Sequence, residues 1–186
     1  MGRFSDFLIA LGFMKKKVNI LCVGLDNSGK TTIINSLNPN KVDNGMIVPT
    51  IGFSIETFSK SKLNLTVIDM SGQGRYRDLW EHYYVDVDAV IFVVDSSDKI
   101  RTCVAKDELE QMLNHKDLKK RKIPILFFAN KNDIEDSMSV ADCSNALGLN
   151  NVKTKNWYIC SCNGLTGDGI LTGFNWLIGI IKKILI

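Results

Sequence analysis

The most constraining stretch of this chain is Gly24-Leu25-Asp26-Asn27-Ser28-Gly29-Lys30-Thr31, which fits the pattern G-x-x-x-x-G-K-[ST]. Gly24 and Gly29 allow a tight turn that points successive backbone N–H groups into one concavity, where phosphate oxygens can be held. Lys30 can span two phosphates as a point charge, and the Thr31 hydroxyl can ligate Mg²⁺. The flanks agree with this. Residues 18–23 form an apolar run of strand length, and residues 31–37, with Thr32 in the first turn, read as a helix whose N-terminus would face the phosphates. A glycine turn that merely precedes a lysine needs no such context. The expectation is a nucleotide-phosphate site built from Gly24 through Thr32.

The rest of the body alternates. Strand-like segments occur at 52–58 and 63–69, with 59–62 as a hairpin turn between them. Residues 89–95 and 123–129 are continuous apolar runs, as expected of strands buried on both faces, and 157–160 is a weaker last strand. Helical patterns lie near 101–114, 140–147 and 170–185. Strand and helix in turn predict an α/β doubly wound sheet, mostly parallel and six-stranded. Helices would cover both faces, and the hairpin would add one antiparallel edge strand. Ligands of such sheets sit at the carboxyl ends of the strands, which is where the remaining motifs fall.

Charge narrows the partners. The net charge is +3, and Arg3, Lys15, Lys16 and Lys17 against Asp6 already supply it. A body close to neutral argues against nucleic acid and for a basic N-terminal arm. In that arm Phe4, Phe7, Leu8 and Leu11 share one helical face, widened by Ile9 and Phe13. So short a helix needs a surface to lie against, either the body or a membrane interface with its lysines toward anionic lipid. The expected division is residues 1–17 as helix and basic run, and 18–186 as the domain. Gly2 fits the start of a myristoylation signal, but Asp6 stands where Ser or Thr is wanted. Five scattered cysteines without a signal peptide read as reduced thiols, hence a cytoplasmic protein. Cys160 and Cys162 lack the second pair or histidine that a metal site would need.

Three motifs carry the chemistry. Asp69-Met70-Ser71-Gly72 reads D-x-x-G: the Asp69 carboxylate can hold Mg²⁺ through a water, and the Gly72 N–H can approach a γ-phosphate unobstructed. Gln73 follows, placed to orient an attacking water. Asn130-Lys131-Asn132-Asp133 reads N-K-x-D. The Asp133 carboxylate can accept from two guanine donors that adenine lacks, Lys131 can lay its stem on the base, and Asn130 can tie this loop to the phosphate loop. Thr50, in Pro49-Thr50-Ile51-Gly52-Phe53, could complete the metal shell only when a γ-phosphate is present, which would make its loop a switch.

Together these residues resemble the Ras-like small GTPases, and more narrowly the Arf and Arf-like family, over essentially the whole chain. Leu79-Trp80 and Trp176-Leu177 also match family positions. Residues 69–77, 80–84 and 126–131 resemble the branch linked to Bardet–Biedl syndrome. The family's base-capping loop aligns to Ser161-Cys162-Asn163-Gly164, so Cys162, Asn163 and Gly164 are expected to present a backbone N–H to guanine. Ser71 stands where most members have glycine, Gly74 where many have aspartate and Gly164 where alanine is commoner. The added Cβ at Ser71 is expected to stiffen the second switch.

The resemblance implies a GTP-binding and GTP-hydrolysing switch. Mg²⁺ would be held by Thr31 and Thr50, with Asp69 behind a water, and the ligand would be GTP or GDP. Partners would be an exchange factor, a GTPase-activating protein, a membrane surface reached when GTP is loaded, and a coat effector, the BBSome at the base of cilia. No arginine is evidently supplied in cis. Two other classes remain open: a small-molecule P-loop kinase, and a GTP-binding membrane scaffold with negligible hydrolysis.

Overall fold

A computed structural model describes residues 15–39 and 48–185. The helical face of Phe4, Phe7, Leu8 and Leu11 lies outside the described residues. Six strands form one sheet: β1 (Lys16–Val23), β2 (Phe53–Lys60), β3 (Leu63–Met70), β4 (Ala89–Asp95), β5 (Ile125–Asn130) and β6 (Trp157–Cys162). Their spatial order is β2-β3-β1-β4-β5-β6; among the described residues the β2–β3 pairing is antiparallel and the other four are parallel. Among the described residues five α-helices accompany them: α1 (Lys30–Leu37), α2 (Thr102–Asn114), α3 (Lys116–Lys119), α4 (Val140–Ala146) and α5 (Ile170–Leu185).

The period of two along the strands divides the core between the two faces. Ile20, Cys22 and Phe128 pack with Ile33, Ile34, Phe174 and Leu177 on the α1 and α5 side. Leu21, Val23 and Phe127 pack with Trp80, Leu109 and Met112 on the other. All seven residues of β4 are buried, which explains its unbroken apolar run. On α5, Ile170, Phe174, Leu177, Ile178 and Ile181 are buried at helical spacing.

Several boundaries differ from the sequence reading. Strand β1 begins at Lys16, so Lys16 and Lys17 pair with Leu63 and Asn64 in the sheet rather than belonging to an N-terminal arm. Strand β5 starts at Ile125, after Pro124, which has no N–H to give the ladder. The hairpin turn narrows to Ser61 and Lys62, whose φ of 53° and 68° suit a tight two-residue turn. The 3-10 helices Gly74–Tyr83 and Leu149–Asn151 and the short α3 were not anticipated. Gly74–Tyr83 buries only Trp80 and carries no apolar stripe to reveal it.

Phe174 is fully buried, with Phe58 on one side at 6.3 Å between ring centroids. Phe174→Ala should lower unfolding stability by about 3–5 kcal/mol, measured by denaturant titration, because α5 cannot collapse into the space left.

Candidate nucleotide-binding site

The phosphate-loop motif runs from the carboxyl end of β1 to the first residues of α1. Gly24 and Gly29 have φ of 140° and 92°, values that side chains disfavour. Space is equally restrictive. A Cβ would come within 2.1 Å of the Val93 carbonyl oxygen at Gly24, within 2.2 Å of Asn130 Nδ2 at Gly29, and within 2.2 Å of the Asp26 amide nitrogen at Gly72. Gly72 therefore packs its bare Cα directly on the phosphate loop and locks the loop after β3 to the loop after β1. Asn27 takes φ of 61°, a conformation asparagine tolerates.

Lys30 is buried, and its Nζ donates to the Leu25 carbonyl at 2.7 Å. Burial pulls its pKa below the usual lysine value, while Cys22, Asp69 and Asp26 pull it back up. An ammonium in that position gains strongly from an anionic partner, and two of its three donors are left for phosphate oxygens.

Oxygen donors from three separate segments converge beside it. The Thr31 hydroxyl lies 2.6 Å from Asp69 Oδ2, and the Thr50 hydroxyl lies 2.9 Å from Thr31 Oγ1 and 3.4 Å from Asp69 Oδ2. Two hydroxyls and a buried carboxylate, all hard oxygens, suit Mg²⁺ that takes its other ligands from phosphate and water. Register explains part of the meeting: Cys22, next to the end of β1, pairs with Asp69, next to the end of β3. The cleft has a volume of about 280 Å³ and is lined by Asp26, Asn27, Lys30, Thr32, Thr50 and Gln73, among others.

The second expected switch is tied to the first. The Ser71 N–H donates to the Gly52 carbonyl at 2.8 Å, and its carbonyl accepts from buried Trp80 Nε1 at 3.0 Å. The Ser71 hydroxyl accepts from the Gln73 N–H at 3.4 Å, an added contact of the kind expected to stiffen this loop. Gln73 lies at the cleft, but its side-chain carbonyl accepts from Arg75 Nε at 3.2 Å. That bond is exposed and cheap to exchange.

Sequence reasoning missed the arginines around Asp26. Arg77 donates from Nε to the Gly72 carbonyl at 2.9 Å, bonds Glu108 at 2.9 Å and reaches Asp26 at 3.6 Å. Arg101 reaches the same carboxylate at 3.1 Å. Arg101 is 75 residues from Asp26 in sequence, a separation that no local pattern can bridge.

At the base side, Asp95, Asn130 and Cys162 stand in one register row across β4, β5 and β6. Buried Asn130 donates from Nδ2 to the Ser28 carbonyl at 2.8 Å and accepts from the Gly164 N–H at 2.8 Å. One carboxamide thus joins the phosphate loop, the N-K-x-D loop and the loop after β6. Lys131, at φ of 65°, donates to Asp95 Oδ2 at 2.6 Å, so Asp95 fixes the lysine ammonium. Asp133 is exposed on the turn after β5.

The ADP-ribosylation factor family profile matches residues 4–181. The chain belongs to that family. It is 57% identical over 177 residues to ADP-ribosylation factor-like protein 6 of Danio rerio, covering 95% of each chain. It is 45% identical over 183 residues to the protein of that name from Caenorhabditis elegans, covering 98% of this chain and 96% of the other. Among solved structures, the Arl6 BBS3 small GTPase of Trypanosoma brucei with bound GppNp superposes with a TM-score of 0.85 at 42% identity. That alignment covers 90% of this chain and 99% of that one. The fold is therefore that of a Ras-like P-loop GTPase, and the chain is a GTP-binding and GTP-hydrolysing switch of the Arf-like type. GTPases of this family work with Mg²⁺ and GTP or GDP and with exchange and activating partners. Membership sets aside the small-molecule kinase.

Within this Arf-like framework the loop after β6 departs from expectation. The Gly164 N–H is committed to Asn130, and the Leu165 and Thr166 N–H groups donate to Asn163 Oδ1 at 2.8 Å and 3.2 Å. Asn163 folds the loop upon its own side chain, a turn that asparagine forms readily. Of the amides expected to face guanine, that of Gly164 is committed to Asn130 and that of Asn163 donates to the Asp168 carbonyl at 3.0 Å. A Cβ on Gly164 would meet Asn130 and Thr32 at 3.4 Å, ordinary van der Waals contact, so the alanine commoner in the family would fit here too.

Asn130→Ala would leave the Ser28 carbonyl and Gly164 N–H without their buried partner. At about 1–3 kcal/mol for each orphaned group, release of GDP and of GTP should both accelerate by about tenfold or more, as read from fluorescent-nucleotide dissociation.

Proposed function

We propose that this GTPase couples its nucleotide state to membrane binding by the residues ahead of β1, with the apolar face of Phe4, Phe7, Leu8 and Leu11, and to recruitment of a coat effector of the BBSome type at the ciliary base. The observation that carries the switch reading is the meeting of Thr31, Thr50 and Asp69 within hydrogen-bond range, together with the Gly52–Ser71 backbone bond. Through them, a ligand that engages Thr50 also biases the loop bearing Gln73. The likeness to proteins named ADP-ribosylation factor-like protein 6 and to a structure titled Arl6 BBS3 supports the choice of branch.

The residue roles follow from chemistry. The amides of residues 24–31 and Lys30 bind the phosphates and stabilise charge on the transferring group. Thr31, Thr50 and Asp69, the last through a water, would hold Mg²⁺, and the ion would supply positive charge to the phosphate oxygens. Gln73 exchanges its bond to Arg75 for one to water and orients it for attack. Asp133 accepts from guanine, and Lys131, steadied by Asp95, covers the base. Arg77 and Arg101 are both engaged with Asp26, so neither serves as the arginine that speeds hydrolysis. An activating protein supplies it in trans, a gain of about 10³–10⁵ in such enzymes. Exposed Val48, Ile51, Phe53 and Ile55 beside Thr50 offer an apolar surface for an effector.

Gln73→Leu should keep GTP binding but slow activator-stimulated single-turnover hydrolysis by about 10²-fold or more, because water orientation is lost. Unchanged stimulated turnover would remove Gln73 from the mechanism.

The arm is tested by flotation with anionic liposomes. Burial of Phe4, Phe7, Leu8 and Leu11 is worth about 1.5–3 kcal/mol per side chain and can occur against the body or in lipid, but not in both. The GTP form should float and the GDP form remain largely in solution, since differential affinity of the two states is what moves the population. Equal flotation of both forms would sink the coupling.

A further inference from the structure

The loop between β4 and α2 belongs to none of the motifs that mark this site in the sequence, yet it is bonded to two of them. At its start Asp95 holds Lys131, and the Ser96 N–H and hydroxyl both donate to the Asn130 carbonyl, at 2.9 Å and 2.7 Å. At its far end Asp98 anchors Arg101. One Asp98 oxygen accepts from the Arg101 backbone N–H at 3.0 Å, and the other accepts from Arg101 Nε at 2.5 Å. These bonds hold the Asp98 carboxyl below the usual carboxylate range. The guanidinium that leaves this anchor is therefore aimed, and what it meets is the phosphate loop.

Arg101 grips Asp26 at two points. Its Nη1 lies 3.1 Å from Asp26 Oδ2, and its Nη2 donates to the Asp26 carbonyl at 3.4 Å. That carbonyl and the Asn27 N–H belong to one planar trans peptide, in which they point in opposite directions. With the carbonyl drawn toward α2, the Asn27 N–H is turned to the cleft that Asn27 lines. It has no acceptor among the described residues. Asn27 stands at φ of 61°, a sparsely populated conformation that persists where neighbouring contacts impose it. Arg77 reaches the other oxygen of the Asp26 carboxylate at 3.6 Å, so Arg101 is the closer brace.

We propose that Arg101, aimed by Asp98, is a positioning residue for nucleotide retention and hydrolysis: it sets the Asp26–Asn27 peptide so that the Asn27 N–H faces the phosphates. It acts through Asp26 and needs no contact with the nucleotide. This role rests on the phosphate-binding reading of residues 24–31. An N–H fixed before the ligand arrives needs no reorientation when charge develops on the transferring group. Losing Arg101 therefore weakens both retention and hydrolysis.

The test compares Arg101→Ala, Arg101→Lys, Asp98→Asn and the double variant Asp98→Asn, Arg101→Ala with wild type. Asp98→Asn leaves an acceptor for the Arg101 N–H but removes the charged partner of Nε. Arg101→Ala should release GDP and a non-hydrolysable GTP analogue about fivefold faster, and slow intrinsic single-turnover hydrolysis by a similar factor. Arg101→Lys, with one ammonium in place of a fork, should recover only part of the loss. Asp98→Asn should shift the rates in the same direction and add nothing once Arg101 is alanine. The β-phosphorus NMR resonance of bound GDP should move in Arg101→Ala. The ratio of GDP release to release of inosine diphosphate, which lacks the guanine 2-amino group, should stay that of wild type. Faster release with an unmoved resonance, or with a changed ratio, would overturn the proposal in favour of a general loosening of the loop after β4. Release by Arg101→Ala within about twofold of wild type would also overturn it, as would additive effects in the double variant. Lys30→Ala separates the two readings. It should abolish tight GDP binding, whereas wild-type binding by that variant would remove the phosphate-loop assignment and this role with it.

Discussion

The site depends on the carboxamide of Asn130. Its amide nitrogen holds the Ser28 carbonyl of the phosphate loop and its oxygen holds the Gly164 N–H of the loop after β6. The phosphate loop, the N-K-x-D loop and the loop after β6 are thereby fixed by one buried side chain. Gly29 must lack a Cβ for that side chain to pass, because the space is filled by Asn130 Nδ2 itself. The glycine of the phosphate motif and the asparagine of the guanine motif are thus one packing requirement, met from two ends of the chain.

A second coupling runs through backbone contacts at the phosphate end. Gly72 lies on the backbone of residues 24–26, and the Ser71 N–H reaches the Gly52 carbonyl. Movement of the loop carrying Thr50 is therefore felt at Gln73 without any long-range pathway. Asp26, which could repel a phosphate, is countered by Arg77 and Arg101, and Arg77 passes its own restraint to the Gly72 carbonyl. Local electrostatics and close packing are enough to make the two loops respond together.

The parallel sheet also sorts charge along the strand direction. Carboxyl ends of strands present acceptors, N–H groups and the cleft; the entering ends present lysines.

Much of this was legible in the sequence. The phosphate, D-x-x-G and N-K-x-D motifs are local patterns whose residues must lie at strand ends, and strict apolar runs at β4 and β5 announced buried parallel strands. Thr50 and the tie through Asn130 could be anticipated because both belong to short motifs with one mechanical use. What the sequence could not reveal are contacts between residues far apart in the chain: Arg101 on Asp26, Asp95 on Lys131, Arg77 on Glu108. Nor could it show that the amides near Gly164 turn inward, since that depends on where Asn163 places its oxygen. The 3-10 helix Gly74–Tyr83 was hidden because one buried Trp80, rather than a repeating stripe, anchors it. Net charge behaved in the same way. Summed along the chain, it pointed to a basic arm on a neutral body. Strand direction and the order β2-β3-β1-β4-β5-β6 instead sort the body's own lysines to one end. Motifs are legible because their geometry is local; charge placement and side-chain partnership are decided only when the sheet closes distances that the sequence leaves open.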